Sequence, residues 1–287
     1  MSGLLFENCP LGCSEPLQTT EIVTPDGSLR LCPACGQLIS SCSKQVYYDS
    51  LEASNRPEGT APSLKDMRRF QQRTRRILRL TERLTGRSAR DMALLDVGCS
   101  SGALLHVARD EGFGAVSGVE PGSASAATAS AAGFEVHRGF LEENTLAAES
   151  YDVVTMIEVI EHLTNPLEVV RAAHRVLKPG GLLVTNTPNM DSWTLQWVKG
   201  DWECFDMYAP DHGGHACFFS PKSMRTLAGR TGFELEYIRT GGLRLAEKGR
   251  VSPLRYKLLK ILRELLTLPA RVMGKGHEML VIFRKAS

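Results

Sequence analysis

"LLDVGCSSGALL", Leu94 to Leu105, joins two apolar runs through a turn that holds Gly98 and Gly102. The first run is short and uninterrupted, as in a strand buried on both faces, and the second has helical spacing. Outward from it the same alternation repeats. "AVSGVEP", "FEVHRG", "YDVVTMI" and "LLVTNTP" read as further strands, with "SASAATASAAG" and "PLEVVRAAHRVLK" as helices between them. Asn165 caps the second of these helices, Pro166 begins it and "PGG" stops it. "PKSMRTLAGR" is a later helix, and "FELEYIRT" and "HEMLVIFRK" are the last strands. Strands alternating with helices predict an α/β fold, a mostly parallel sheet covered on both faces. Ligands of such sheets sit at the carboxyl ends of the strands.

The turn after "LLDV" stands at such an end. Its glycines let backbone approach a ligand, and the following helix offers free amides. Asp96 precedes the first glycine, and Glu120 ends the second strand in "GVEP". A carboxylate there can accept from both hydroxyls of a ribose. On these residues alone a nicotinamide dinucleotide remains open.

"LLDVGCSSG", "GVEP", "YDVVTMIEVIEHLTNP", "VLKPGGLLVTNTPN" and "FFSPKSM…GFE" resemble, in order, the motifs of class I S-adenosylmethionine-dependent methyltransferases. The resemblance runs from about Ala93 to the C-terminus. It implies a Rossmann-like sheet of seven strands in order 3-2-1-4-5-7-6, the last antiparallel, and S-adenosylmethionine as cofactor. It implies that Asp96, Gly98, Cys99, Ser100 and Gly102 surround the methionine end and Glu120 the ribose. Phe140 and Leu141 would flank adenine, and Met156 would close on the cofactor. Ser100 stands where the family has a glycine. A serine is tolerated there if its φ is negative; a positive φ would bear on cofactor affinity.

"MIEVIEHLTNP", Met156 to Pro166, places Glu158, Glu161 and His162 at i, i+3 and i+4, one face of a helical turn. "DHGGHACFFS" adds His212 and His215, and resemblance to small-RNA 2′-O-methyltransferases, with a histidine before an aromatic pair, implies His215 as the partner. Glu158, Glu161, His162 and His215 are therefore candidate ligands of a divalent cation such as Mg²⁺. Such an ion would lower a substrate hydroxyl's pKa; Glu158, His162 and His215 are also candidate acid–base groups. The arrangement is similar to that of ubiquinone-pathway O-methyltransferases and small-RNA 2′-O-methyltransferases. Many related chains carry the same turn for packing alone.

Cys9, Cys13, Cys32 and Cys35 form "CPLGC" and "CPAC", a spacing that completes a closed tetrahedral zinc site. Cys42 is a substitute ligand. Three units follow: a zinc-ribbon-like module over residues 1–50, a basic linker helix over 51–90 and a methyltransferase domain over 91–287. In the linker, Met67, Phe70, Thr74, Ile77, Thr81 and Leu84 recur at helical spacing among ten basic residues from Lys65 to Arg90.

The 287 residues, 43% apolar with formal charge +2, do not by themselves point to nucleic acid. No secretory leader and no apolar run of about 20 residues is visible, which predicts a cytoplasmic protein with reduced thiols. Trp193, Trp197 and Trp202, with Phe205, Tyr208, Phe218 and Phe219, suggest an aromatic wall over the site. "PLRYKLLKILRELLTLPARVM" has Leu254, Leu258, Ile261, Leu262 and Leu265 on one face and Arg255, Lys257, Lys260 and Arg263 around it. This helix is expected to pack on the core or a partner subunit, with an anionic membrane as the second option. The zinc module ahead of this core resembles bacterial methyltransferases of sugar and polysaccharide pathways, so a small-molecule or carbohydrate hydroxyl is the expected acceptor. RNA methylation and a catalytically silent cofactor-binding module are the competing readings.

Overall fold

In the computed structural model of this chain, residues 3–24, 26–54, 64–198, 214–246 and 251–287 are described, less the side chains of 51–54, 64–66 and 197–198. Trp202, Phe205, Tyr208 and His212, the Trp197 side chain and most of the expected aromatic wall lie outside the described residues.

The chain begins with three antiparallel strands, β1 (Gln18–Thr24), β2 (Gly27–Leu31) and β3 (Leu38–Ile39). Helices α1 (Lys44–Ser54) and α2 (Leu64–Thr85) follow. The alternating region then gives β4 (Ala93–Val97), α3 (Ala103–Asp110), β5 (Ala115–Glu120), α4 (Ser123–Ala131) and β6 (Glu135–Arg138). Next come β7 (Tyr151–Ile157), α5 (Pro166–Val176), β8 (Leu177–Pro188) and α6 (Trp193–Val198). The chain closes with β9 (Cys217–Phe218), α7 (Pro221–Thr231), β10 (Phe233–Thr240), α8 (Pro253–Val272) and β11 (Glu278–Lys285).

Seven strands form one sheet in the order β10-β11-β8-β7-β4-β5-β6. Counted from β4 this is 3-2-1-4-5-7-6, with β11 antiparallel to both neighbours, as the resemblance implied. Consecutive residues of the central strands explain the covering on both sides. Leu94, Val153, Leu182 and Val184 face α2 and α3 together with Ile77, Leu78, Leu104 and Val107. Leu95, Val154 and Leu183 point the other way, with Val170, Ala173 and Val176 of α5 and Met224 and Leu227 of α7. Each buried Val or Leu contributes about 1.5–3 kcal/mol by leaving water, and of the polar residues these strands bury, Thr155 and Asp96 are hydrogen-bonded to each other. In α2, Thr74 and Thr81 join the buried stripe and the arginines stay outside. The helix therefore packs on the sheet along its length.

The small sheet is not self-contained. Its fourth strand is β9, from the segment between β8 and α7, paired antiparallel with β3. Gln37 reinforces the joint by donating to the Phe218 carbonyl at 3.0 Å. Arg230 of α7 donates to the Leu11 carbonyl at 2.7 Å, holding the first cysteine turn against the sheet's helices.

Candidate active site and cysteine centre

The turn after β4 is built by backbone. Gly98 and Cys99 both donate to the Val119 carbonyl, at 2.8 and 3.2 Å, so the end of β4 bends over β5. Gly98 has φ +74°, and a Cβ there would meet Val159 Cγ2 at 2.6 Å; only glycine fits. Gly102, at φ +89°, caps α3. Ser100 also has positive φ, +48°, contrary to the negative angle under which serine is harmless. Its amide donates to Glu120 Oε2 at 2.8 Å, and Gly122 donates to Oε1 at 2.7 Å. These two bonds to a charged acceptor hold the strained turn and fix the carboxylate at the carboxyl edge between β4 and β5.

Asp96 is buried, and Thr155 donates to its Oδ1 at 2.6 Å. Burial pushes its pKa up to about 7, with the Glu120 charge adding to the rise. Cys99 is turned inward with Leu105 and Phe134, beneath Gly118, so its backbone and not its thiol borders the turn. Phe140 is exposed, whereas Leu141 and Met156 are buried in one cluster with Val97, Val119 and Ile160.

Beyond β7 the expected helical turn does not form. Glu158 has φ +56°, and only Ile160–His162 make a short 3-10 turn. Glu158 thus stands outside the close group of Glu161, His162 and His215, while its charge still bears on Glu161. The Glu158 carboxylate accepts from Asn186 at 2.6 Å and from Arg73 at 3.1 Å, and Arg73 also reaches Glu278 at 3.2 Å. Both bonds fall on Oε1, and the guanidinium and the amide thereby hold Glu158 beside the other three expected ligands. Glu161, His162 and His215 do come together, with one ligand atom of each within 4.8 Å of the others. The two imidazoles meet edge to face, centroids 4.8 Å apart.

Glu161 is fully buried and neither carboxylate oxygen has a hydrogen-bond partner. Burial, followed by the Glu158 charge, holds its pKa well above the carboxylate range. His215 Nδ1 is likewise buried and unpartnered, and burial ahead of the His162 charge lowers its pKa to about 3. These buried, unpartnered oxygens and nitrogen are atoms of the kind that a bound cation would satisfy. Arg73, Asn186 and Glu278 escaped the sequence reading. Asn186 was legible as a polar residue ending a strand, while nothing distinguished Arg73 among its neighbouring arginines.

The four cysteines also converge. Gly12 donates to the Cys9 carbonyl and Gly36 to that of Cys32, both at 2.9 Å, which makes two tight turns with glycine at φ +77° and +73°. All four residues are buried and their sulfurs lie within 4.8 Å of one another. Cys9 and Cys35 Sγ are 3.6 Å apart, close to the roughly 3.8 Å between sulfurs that share a tetrahedral zinc at about 2.3 Å. Hydrogen bonding from Cys35 is the main cause pulling the Cys9 thiol down to about 5. Cys42 is buried nearby but outside this group.

Among known proteins, the family model described as a methyltransferase domain matches residues 67–238. The ubiquinone biosynthesis O-methyltransferase of Pseudomonas paraeruginosa is 36% identical over 103 residues, 33% of this chain and 44% of that protein. The protein of the same name from Leptothrix cholodnii is 29% identical over 158 residues, 52% of this chain and 66% of that one. The match thus spans less than half the length of the first relative. A methyltransferase structure from Archaeoglobus fulgidus shares the fold at TM-score 0.50 and 18% identity, covering 74% of this chain and 94% of that one. With the family model covering more than half of its length and the sheet order in agreement, the chain belongs to the class I S-adenosylmethionine-dependent methyltransferases.

Proposed function

We propose that this protein transfers a methyl group from S-adenosylmethionine to a hydroxyl oxygen of a small molecule. One observation carries the reading: Glu120, clamped by the Ser100 and Gly122 amides, stands beside a glycine turn that leads into α3. Each carboxylate oxygen has two lone pairs, so each keeps one for a ribose hydroxyl. Gly98, Ser100 and Gly102 bring bare backbone to the methionine end, with the Cys99 main chain between them. Asp96 lies deeper and is the counter-charge for the cofactor's ammonium, while Phe140, Leu141 and Met156 supply the apolar side. The cofactor, when bound, supplies an electrophilic methyl on a sulfonium, ready for a nucleophile held in line.

At the acceptor side, Glu161, His162 and His215 hold a divalent cation. That ion, when bound, acidifies and orients the acceptor hydroxyl. Two imidazoles and one carboxylate suit first-row transition ions better than Mg²⁺, which prefers an all-oxygen shell. Glu158, held by Arg73 and Asn186, instead shapes the rim of the site. Cys9, Cys13, Cys32 and Cys35 hold a structural zinc. The relatives' names support oxygen as the acceptor atom and a small molecule as its carrier, with carbohydrates one class to test.

The test is transfer of labelled methyl from the cofactor to pools of hydroxylated small molecules, sugars and RNA. Label in a small-molecule pool is the expected result. Label in RNA alone would overturn the acceptor, and cofactor binding without any labelled product would indicate a silent module.

A further inference from the structure

Helix α8 interrupts the connection between β10 and β11 at the carboxyl edge of the sheet, where Thr240 pairs with Met279 and Glu278 with Pro188. Its inner face is used. Leu259, Leu262, Leu266 and Ala270 pack with Leu243, Leu245 and Trp193. The outer face is not: Leu254, Leu258, Ile261, Leu265, Leu268 and Val272 are each 59–80% exposed. Of the face expected to meet the core, only Leu262 does so.

These six residues recur at four and three along one line, a stripe roughly 27 Å long at 1.5 Å per residue. An uninterrupted apolar stripe of that length calls for a cover. Charge says which kind. The helix carries Arg255, Lys257, Lys260, Arg263 and Arg271 against Glu264 alone, and Glu264 is already paired with Arg263. Lys257, Lys260 and Arg271 share one flank of the stripe with Glu264, which leaves that flank with a net positive charge. An antiparallel pairing of two copies along the stripe would bring that flank against its own equivalent, three cations and one acid on each side. An anionic surface meets no such repulsion.

We propose that α8 is a membrane-docking helix that lies in the headgroup region of an anionic bilayer. The leucine stripe enters the acyl boundary by about 5–10 Å, and the flanking lysines and arginines reach back to lipid phosphates. Because α8 is anchored to Trp193 and to the end of β10, docking sets the carboxyl edge of the sheet beside the bilayer. The inference does not rest on methyl transfer, since binding to lipid is read without cofactor or acceptor.

The experiment is co-sedimentation of the full chain with vesicles of phosphatidylcholine alone or mixed with phosphatidylglycerol, alongside light scattering without lipid. The expected result is a partition onto anionic vesicles at least roughly tenfold above that onto neutral ones, lost at high salt. Leu258→Glu/Leu265→Glu should abolish it, and Lys257→Glu/Lys260→Glu should remove the preference for anionic lipid. Both pairs alter exposed side chains, and an unchanged melting temperature verifies their folding. Wild-type protein that stays in the supernatant with both lipids would overturn the proposal. So would a solution dimer that Leu258→Glu/Leu265→Glu converts to monomer, which would make the stripe a subunit interface.

Discussion

The Ala216 amide donates to the Glu161 carbonyl at 2.9 Å, and the Ala216 carbonyl in turn accepts from the Ser40 amide at 3.0 Å. One residue thus ties the turn after β7 to the cysteine-bearing sheet. Tyr47 of α1 adds a second tie by donating to the His162 carbonyl. The cysteine centre and the Glu161, His162 and His215 cluster are consequently parts of one hydrogen-bonded assembly.

Loss of the zinc proposed for the four cysteines should therefore reach the acceptor side of the site. In Cys32→Ala the tightly held zinc should disappear from elemental analysis, the melting temperature should fall and methyl transfer should drop. Cofactor affinity should change little, because the turn after β4 makes none of these contacts. Full activity in a zinc-free variant would argue that the sheet holds the turn unaided.

Glu161→Gln separates a cation site from a protonated buried acid. If a cation is bound, the neutral amide should release it and activity should fall by about tenfold or more, as when a metal's polar support is removed. If no cation binds, glutamine replaces a protonated carboxyl of the same shape, and stability should hold or rise. Metal content and thermal melting on the two proteins read out the difference.

Ser100→Gly should relieve the left-handed backbone at φ +48°. The expected gain is about 1 kcal/mol, a rise of roughly 2 °C in melting temperature, with the amide bond to Glu120 intact. A lower melting temperature would mean that the hydroxyl contributes more than the strain costs.

The raised pKa of Asp96, about 7, gives a pH signature. In the free protein this acid holds a proton that the unfolded chain releases near pH 4, so its contribution makes stability fall as pH rises between those values. Cofactor binding should run the other way. The ammonium of the methionine end, itself protonated below about 7.7, favours ionised Asp96. Affinity should therefore rise from pH 5.5 to 7, and Asp96→Asn should bind more weakly with a flat profile. A wild-type affinity independent of pH in that window would remove Asp96 from the ammonium site.

The strands and the glycine turn were legible because each depends on local pattern: short apolar runs, helix caps and glycines at strand ends; the strand order followed only from the family resemblance. What escaped depends on distant pairing. No periodicity announces that Cys217 and Phe218 will add a strand beside Leu38 and Ile39. Glu158 sits at helical spacing from Glu161 and His162, yet its positive φ and its contacts with Asn186 and Arg73 leave it outside their close group. The outer stripe of α8 read as core because sequence gives the apolar face without saying which side the sheet occupies. Here the segment after β10 and Trp193 of α6 take Leu259, Leu262 and Leu266 instead.

Calorimetric titration of S-adenosylmethionine into the wild-type protein and Glu120→Gln tests the cradle most directly. The wild type should give saturable heat, and the variant should bind about tenfold to a hundredfold more weakly, the cost of losing a charged acceptor. No heat from the wild type, or equal affinity in the two proteins, would contradict the assignment of Glu120 and its glycine turn to the cofactor.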